Sequence, residues 1–471
     1  MTITKFVPRI INPVKITRAV IFSAEESVRK AVGTLEENMP WIECCIFGDP
    51  LSVSTYQSDR ATVFLLDDTS MAFVDSEKIH NNNKDAVIVL LSSNGLIHRS
   101  PPSVAEEKYP YTSRADLIFA VNTAEFLPNR IVTSVVRSAE DLLNIEKYSK
   151  VRRYIFLIVD DEPRWFSQFL PVLYNIIGQR ADVKMTRTHE ETMQFIFGVE
   201  REEDIDPENF LFRGHGDDVV CLITDVFFPQ GQDLRSKAGV DLIRLIDKYY
   251  PRIPAIIASK SKEAEDLNNL AFILPKGDPG SIETLRTYIY DCTGIGDFLV
   301  NDRDGKEIYR AKHIRELYKI VKKAEKDTAG ARHLRDLLEG YGRRDSFSTW
   351  LYMHGFRELA DRLRPIHITG KEMIAVLESQ LKEEIRHIEK IPLVIDSVEI
   401  FDLPDLLEEL RRADPAKIQK HSDTDAFSNW LDLKCYPELA KELRPIHGSG
   451  EKLSQTLAAI VEKWMKTYKV R

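Results

Sequence analysis

Up to about Val300, short apolar runs alternate with amphipathic stretches, and then the alternation stops. Between Lys15 and Lys150 the runs RAVIFS (18–23), WIECCIF (41–47), ATVFLL (61–66), AVIVLL (86–91) and ADLIFAV (115–121) are rich in β-branched residues and too short for buried helices. Segments such as EESVRKAVGTLEEN lie between them, with Val28, Ala31, Val32 and Leu35 at helical spacing, and NRIVTSVVRSAEDLLNIEKY closes the series. Five apolar strands alternating with helices predict a doubly wound α/β domain around a parallel five-stranded sheet.

The pattern then restarts. YIFLIVD (154–160), DVKMTRT (182–188), VVCLITD (219–225), PAIIAS (254–259) and AFILPK (271–276) read as five more strands, with helices around WFSQFLPVLYNII, AGVDLIRLIDKYY and SIETLRTYIYDC. The polar stretch NIEKYSKVRR separates the two copies as a connector. Beyond residue 300, long charged helical patterns such as AKHIRELYKIVKKAEK dominate and strand-like runs nearly vanish, which predicts an all-α region. Within it, FSTWLYMHGFRELADRLRPIHITG from Phe347 is matched without a gap by FSNWLDLKCYPELAKELRPIHGSG from Phe427. The expected organisation is therefore 1–148, 149–300 and 301–471, with repeat halves at about 330–390 and 403–470.

Composition narrows the function without choosing it. The 471 residues hold 65 basic and 74 acidic side chains, a formal net charge of -9, so no global basic field gathers nucleic acid or acidic membranes. Five scattered cysteines lack the spacing that zinc needs and fit a reducing compartment. No run of about 18 apolar residues occurs and the start of the chain has no apolar leader; a soluble cytoplasmic protein is expected.

The candidate chemistry sits at strand ends. Asp160 and Asp161 end the first strand of the second copy and Asp225 ends its third. In a sheet ordered 2-1-3-4-5 those strands are neighbours, so the three carboxylates converge in the crevice where open α/β sheets bind ligands. They would repel one another unless a hard divalent cation such as Mg²⁺ bound between them. Structurally, Asp160 alone would end a strand and Asp161 cap the helix that opens at Pro163. Ser259 and Lys276 end the fourth and fifth strands and supply a hydroxyl donor and a countercharge suited to an incoming phosphoryl group.

This ordered set of acid pair, acid, hydroxyl and lysine resembles the receiver domain of two-component response regulators, over about residues 152–300. The resemblance implies a flavodoxin-like fold for both copies, Asp225 as phosphoacceptor, Asp160 and Asp161 as Mg²⁺ ligands with the Phe227 backbone carbonyl, Ser259 as switch hydroxyl and Lys276 as the phosphate-pairing lysine. It further implies a histidine kinase or phosphotransfer protein as phosphodonor. The order Pro275-Lys276-Gly277 departs from the family's Lys-Pro, so a cis peptide there is in doubt; Ile273 stands where a switch aromatic is common. The segments REEDIDPENFLFRGHGDD and QGQDLRSKAG lengthen two loops near the acids.

On the same template the first copy has Ser23 and Ala24 in place of the acid pair, keeps Asp67 and Asp68 with Ser92 and Ser93, and places Asn122 near the lysine position. It reads as a pseudoreceiver for docking or dimerisation, or as an unrelated flavodoxin-like domain. In the helical region Phe347, Trp350 and Leu351, like Phe427, Trp430 and Leu431, form a core stripe, Pro365 and Pro445 end helices, His367 and His447 read as capping or packing groups, and Arg364 and Arg444 as salt-bridge partners. A receiver followed by these segments is similar to the regulatory region at the front of some phosphoenolpyruvate-synthase-like bacterial proteins, whose catalytic part has no counterpart in this sequence. The expectation is an atypical response regulator whose residues 301–471 bind a protein partner, with homodimerisation left open and no membrane or nucleic acid involved. A constitutive scaffold and a phosphohydrolase using the Asp225 pocket are the alternatives.

Overall fold

The computed structural model describes residues 12–121, 128–148, 153–210, 213–231, 233–235, 237–259, 271–276 and 280–468. The chain forms two compact units, Met1–Tyr288 and Ile289–Arg471.

In the first unit, the apolar runs of the first copy become β1 (Arg18–Phe22), β2 (Glu43–Ile46), β3 (Thr62–Asp67), β4 (Ala86–Ser92) and β5 (Leu117–Ala120). All pair in parallel in the order β2-β1-β3-β4-β5. β3 and β4 are buried along their whole length, which is why they read as continuous apolar runs. The helices are α1 (Glu26–Val32), α2 (Leu35–Asn38), α3 (Pro50–Thr55), α4 (Asp68–Phe73), α5 (Ser76–Asn82), α6 (Pro102–Lys108) and α7 (Pro128–Lys147). The amphipathic stretch after β1 is thus two short helices, interrupted at Gly33 and Thr34.

The second copy gives β6 (Ile155–Val159), β7 (Asp182–Thr186), β8 (Val219–Thr224), β9 (Phe228–Gln230), β10 (Asp233–Arg235), β11 (Ala255–Ser259) and β12 (Phe272–Pro275). Its parallel sheet runs β7-β6-β8-β11-β12, the same 2-1-3-4-5 order. Helices α8 (Pro163–Ile177), α9 (His189–Phe197), α10 (Ala238–Tyr249) and α11 (Ser281–Cys292) accompany it. The lengthened loop after Asp225 folds as the antiparallel hairpin β9-β10, tied to the start of α9 where Gly231 N–H donates to Glu190 Oε1 at 2.8 Å. The architecture is two tandem flavodoxin-like domains.

These two domains are joined by more than a connector. α7 packs against β7 and α8, and α8 packs against β5, so each domain lends a helix to the edge strand of the other's sheet. Asp141 of α7 accepts from the Val183 N–H of β7 at 2.9 Å and from Tyr174 O–H of α8 at 2.8 Å. In return, Ser167 Oγ of α8 accepts from the Ala120 N–H of β5 at 3.1 Å. Edge groups that would otherwise face solvent or a foreign strand are thereby satisfied. Around them lies a buried polar network: Arg153 Nη1 reaches Asp182 Oδ2 and Asn12 Oδ1, each at 2.7 Å, and Asn12 Nδ2 donates to Glu140 Oε1 at 2.6 Å. Phe119 and Phe166 meet edge to face at 5.9 Å.

The second unit is helical, as expected, and adds two short hairpins to the helices. It opens with a hairpin, β13 (Phe298–Asn301) and β14 (Glu307–Ala311), followed by α12 (Ile314–Ala324), α13 (Ala329–Arg343), α14 (Ser346–Met353), α15 (Arg357–Leu363) and α16 (Gly370–Glu389). A second hairpin, β15 (Leu393–Ile395) and β16 (Val398–Ile400), precedes α17 (Leu403–Arg412), α18 (Pro415–Asp423), α19 (Ala426–Leu433), α20 (Pro437–Leu443) and α21 (Gly450–Tyr468). The repeat is therefore a hairpin plus helices, and each half starts earlier than its most similar sequence: at 298 rather than about 330, and at 393 rather than 403. The expected boundary at 300 and 301 falls within β13. Strands this short leave no periodicity to read.

Within the repeats the aromatic stripe is core, as its spacing predicts: Phe347, Trp350, Leu351, Phe427, Trp430 and Leu431 are buried. Trp350 Nε1 donates to Gly296 O at 2.9 Å and Trp430 Nε1 to Ile391 O at 3.3 Å, so each indole holds the chain leading into its hairpin. Gly355 and Cys435, at matching places, have φ of 91° and 70°. His367 Nε2 lies 3.2 Å from Asp345 Oδ1, and His447 Nε2 lies 4.0 Å from Asp425 Oδ1. Each histidine faces the aspartate at the start of the aromatic helix, a packing role. Arg444 pairs with Asp432 at 2.6 Å. Among the described residues no helix is long and apolar enough to cross a membrane.

Asp141→Ala leaves two donors, Val183 N–H and Tyr174 O–H, without this acceptor in a dry seam. The expected loss is about 2–4 kcal/mol, read as a lowered urea midpoint with both α/β domains still unfolding together.

Candidate functional site

Strand register assembles the site. Val159 at the end of β6 pairs with Thr224 at the end of β8, so the next residues, Asp160 and Asp225, emerge side by side. Asp225 N–H donates to Val159 O at 2.9 Å and Asp160 N–H donates to Thr186 O at 3.1 Å, which holds both backbones in the sheet's hydrogen-bond pattern past the strand ends. On the other side, Ser259 pairs with Pro275, and Lys276 N–H donates to Ser259 O at 3.0 Å. Asp160, Asp161, Asp225, Ser259 and Lys276 thus share the C-terminal rim of one sheet, as expected. Phe227 lies between Asp225 and the β9-β10 hairpin and packs partly against the core.

Lys276 Nζ donates to Asp160 Oδ2 at 2.7 Å and to Asp225 Oδ2 at 2.5 Å, with the Trp165 ring 5.6 Å away. The remaining carboxylate oxygens are also held: Asp160 Oδ1 accepts from Glu162 N–H at 2.9 Å and Asp225 Oδ1 from Val226 N–H at 2.6 Å. The side chains differ in access. Asp160 is 2% exposed and Lys276 5%, whereas Asp225 is 13% exposed and is the member that a reagent can reach. The order Pro275-Lys276 carries no cis bond among the described residues.

Burial is the main electrostatic force here. It raises the Asp160 carboxyl to about 6, against the pull of Lys276 and with a further push from Asp225. It raises Asp161 to about 7, helped by the Asp160 charge. For Lys276 burial works against the charge, yet the Asp160 and Asp225 carboxylates together hold its pKa above the ordinary lysine value. The pocket carries more negative charge than one ammonium neutralises, and its donors are hard oxygens. That chemistry fits Mg²⁺. Lys276 now occupies the bridging position between two of the acids, and the described residues contain no preformed group of three metal ligands.

One functional residue has no signal in the motif. Gly239, at the start of α10, lies so close to Asp225 that a Cβ there would stand 1.9 Å from the Asp225 carbonyl oxygen, and its N–H donates to Val226 O at 3.1 Å. Only glycine lets α10 brace the backbone of Asp225.

In the first domain the same rim is closed. Asp67 holds the place of Asp225 but is fully buried, and both its oxygens are used. Its Oδ2 accepts from Ser23 Oγ and Ala24 N–H, each at 2.6 Å, and from Glu25 N–H at 3.1 Å, while Oδ1 accepts from Ser70 N–H at 2.7 Å. Burial pushes its pKa up, but these hydrogen bonds outweigh it and hold the carboxyl below its usual range. Asp68 is turned to Ser92 Oγ at 2.8 Å and Ser93 N–H at 3.2 Å. Register places Val121, whose N–H donates to Ser92 O at 3.0 Å, where the second domain has Lys276. Asn122 lies outside the described residues.

No family model matches the chain, and no curated relative does. Among solved structures, a protein assigned as a two-component system response regulator/GGDEF domain protein aligns with 58% of this chain and 97% of its own, at 13% identity and TM-score 0.26. The C-terminus of E. coli RcsC, with linker and phosphoreceiver domain, aligns with 61% of this chain and 95% of its own, at 14% identity and TM-score 0.21. A protein assigned to sugar binding from Salmonella typhimurium LT2 aligns over 58% and 86% at 12% identity and TM-score 0.19. Likenesses of this size carry no functional argument, and the site stands on its own geometry.

Gly239→Ala is expected to lower stability by roughly 2 kcal/mol or more and to displace Asp225, seen as a shifted Asp225 amide resonance. A second expectation concerns pH. Asp160 and Asp161 bind protons more tightly folded than unfolded, so without divalent cations stability falls as pH rises from the ordinary carboxyl range towards about 7. Asp161→Asn should flatten that slope and raise the thermal midpoint at pH 8 while changing little at pH 4, the difference being on the order of a few kcal/mol.

Proposed function

We propose that the chain is an atypical response regulator that is phosphorylated on Asp225. The observation that carries this reading is the contrast between two equivalent carboxylates: Asp225 is partly open and clasped by Lys276, whereas Asp67 is sealed by four donors from its own backbone and Ser23. A sealed carboxylate braces a strand end. One that is open and beside a movable ammonium can act as a nucleophile.

In this reading Asp225 Oδ2 attacks the phosphorus of a phosphohistidine or small acyl phosphate, the P–N or P–O bond breaks, and the leaving group keeps the electron pair. The Val226 N–H fixes the other carboxylate oxygen and so orients the attack. Lys276, released from Asp225 by the incoming group, provides countercharge on the phosphoryl oxygens, and the Ser259 hydroxyl at the end of β11 supplies a further donor. Asp160, Asp161 and the Phe227 carbonyl would hold Mg²⁺, which when bound neutralises charge on the transferring group. The phosphodonor is a histidine kinase or phosphotransfer protein, and residues 301–471 bind a protein output partner. The first domain acts as a fixed pseudoreceiver against α8 and β7.

Intact mass after incubation with acetyl phosphate and Mg²⁺ is expected to show one labile phosphoryl group. Asp225→Asn or EDTA should abolish it, and Lys276→Ala should slow it by about tenfold or more. No adduct on the parent chain would sink the proposal in favour of a constitutive scaffold, and repeated turnover of an external phosphoester would replace it with a phosphohydrolase.

A further inference from the structure

Arg187 is the residue directly after β7, the strand that flanks β6 on the side away from Asp225. Thr186, just before it, accepts the Asp160 N–H at 3.1 Å, so Arg187 starts from the rim of the acid pocket. Its backbone is fixed by the helix that follows: Arg187 N–H donates to Glu191 Oε2 at 2.7 Å, and the N-cap Thr188 Oγ1 accepts from Glu191 N–H at 3.2 Å. The guanidinium is not satisfied in the same way. Its Nε and Nη2 are buried and have no hydrogen-bond partner among the described residues. The carboxylates whose charges act on it are, in order, Glu191, Asp161, Glu106 of α6 and Asp160.

A buried guanidinium edge without an acceptor is costly, and unlike an apolar void it has a specific complement: a planar pair of oxygens on an anion. The first domain supplies an internal control. There Phe47 N–H donates to Ile21 O at 2.9 Å, which carries the β1-β2 register on by one residue and puts Gly48 in Arg187's place. The sealed rim thus lacks both cations, with Val121 for Lys276 and Gly48 for Arg187, and the open rim has both.

We propose that Arg187 is a second phosphoryl-binding residue of the Asp225 pocket, pairing through its unpartnered guanidinium edge with oxygens of the donor's phosphoryl group. This rests on the reading of Asp225 as phosphoacceptor and assigns the pocket's affinity for its donor to a residue outside the five strand-end groups. Lys276 meets the acceptor carboxylate; Arg187 meets the arriving oxyanion from the opposite flank. The nearby Glu106 places a residue of the first domain within the electrostatic reach of this contact.

The test separates affinity from reactivity. With acetyl phosphate and with phosphoramidate, Arg187→Ala is expected to raise the KM for Asp225 phosphorylation about tenfold while changing the maximal rate no more than about threefold, and Arg187→Lys should fall between. An unchanged KM with a lowered unfolding midpoint would make Arg187 a structural residue and overturn the inference; so would a KM effect confined to acetyl phosphate, which would place the contact on the acetyl carboxyl. A parallel arm uses Asp225→Asn, which cannot form the acyl phosphate. Inorganic phosphate should raise its thermal midpoint, and adding Arg187→Ala should remove that shift. No shift on the Asp225→Asn background overturns the inference. A shift that depends on Arg187 in a chain whose parent never forms an adduct upholds the anion site and rejects phosphorylation.

Discussion

Two carboxylates side by side at a sheet rim need a countercharge, and in this chain one ammonium supplies it to both. Lys276 reaches Asp160 and Asp225 from the neighbouring side of the sheet, and the positions of the strand ends follow from that demand. β6 and β8 must be adjacent for the acids to meet, and β12 must end level with β11 for the lysine to arrive. The balance remains incomplete, because Asp161 stays beside the pair with its proton held up to about 7. A pocket with this residual charge attracts cations more strongly than a neutral one would.

The first domain shows what the same scaffold does when that demand is absent. With Ser23 and Ala24 in place of the acids, Asp67 turns inward and collects hydrogen bonds from the residues that follow β1. Its strand order is unchanged. Fold and chemistry are therefore separable here: the sheet persists on apolar burial, and the rim is decided by a few polar positions.

Much of this is legible in the chain. The ten strands of the two parallel sheets fall at the runs read as strands, most plainly where the strand is buried along its length, as in β3, β4, β6, β8 and β11. The five rim residues are legible as well, since strand ends can be counted from the runs. What escapes reading is whatever depends on two segments meeting. Gly239 looks like any glycine near a helix start until α10 is laid against Asp225. Arg187 looks like a surface charge after a strand until its neighbours are known. The lysine position of the first domain is off by one residue, Val121 for Asn122, because register rather than spacing sets it. The hairpins of the helical unit vanish among charged residues: β14 exposes most of its side chains and leaves no alternation to detect.

The exchange of helices between the two α/β domains has a consequence for how such a pair can be regulated. Domains on separate chains associate and dissociate with concentration, and their pairing can be diluted away. Here α7 and α8 fix the partners within one chain, one copy of each, at an effective concentration set by a short connection. Expression level cannot alter that stoichiometry, and a competing domain cannot displace the partner without prising a sheet edge from its covering helix.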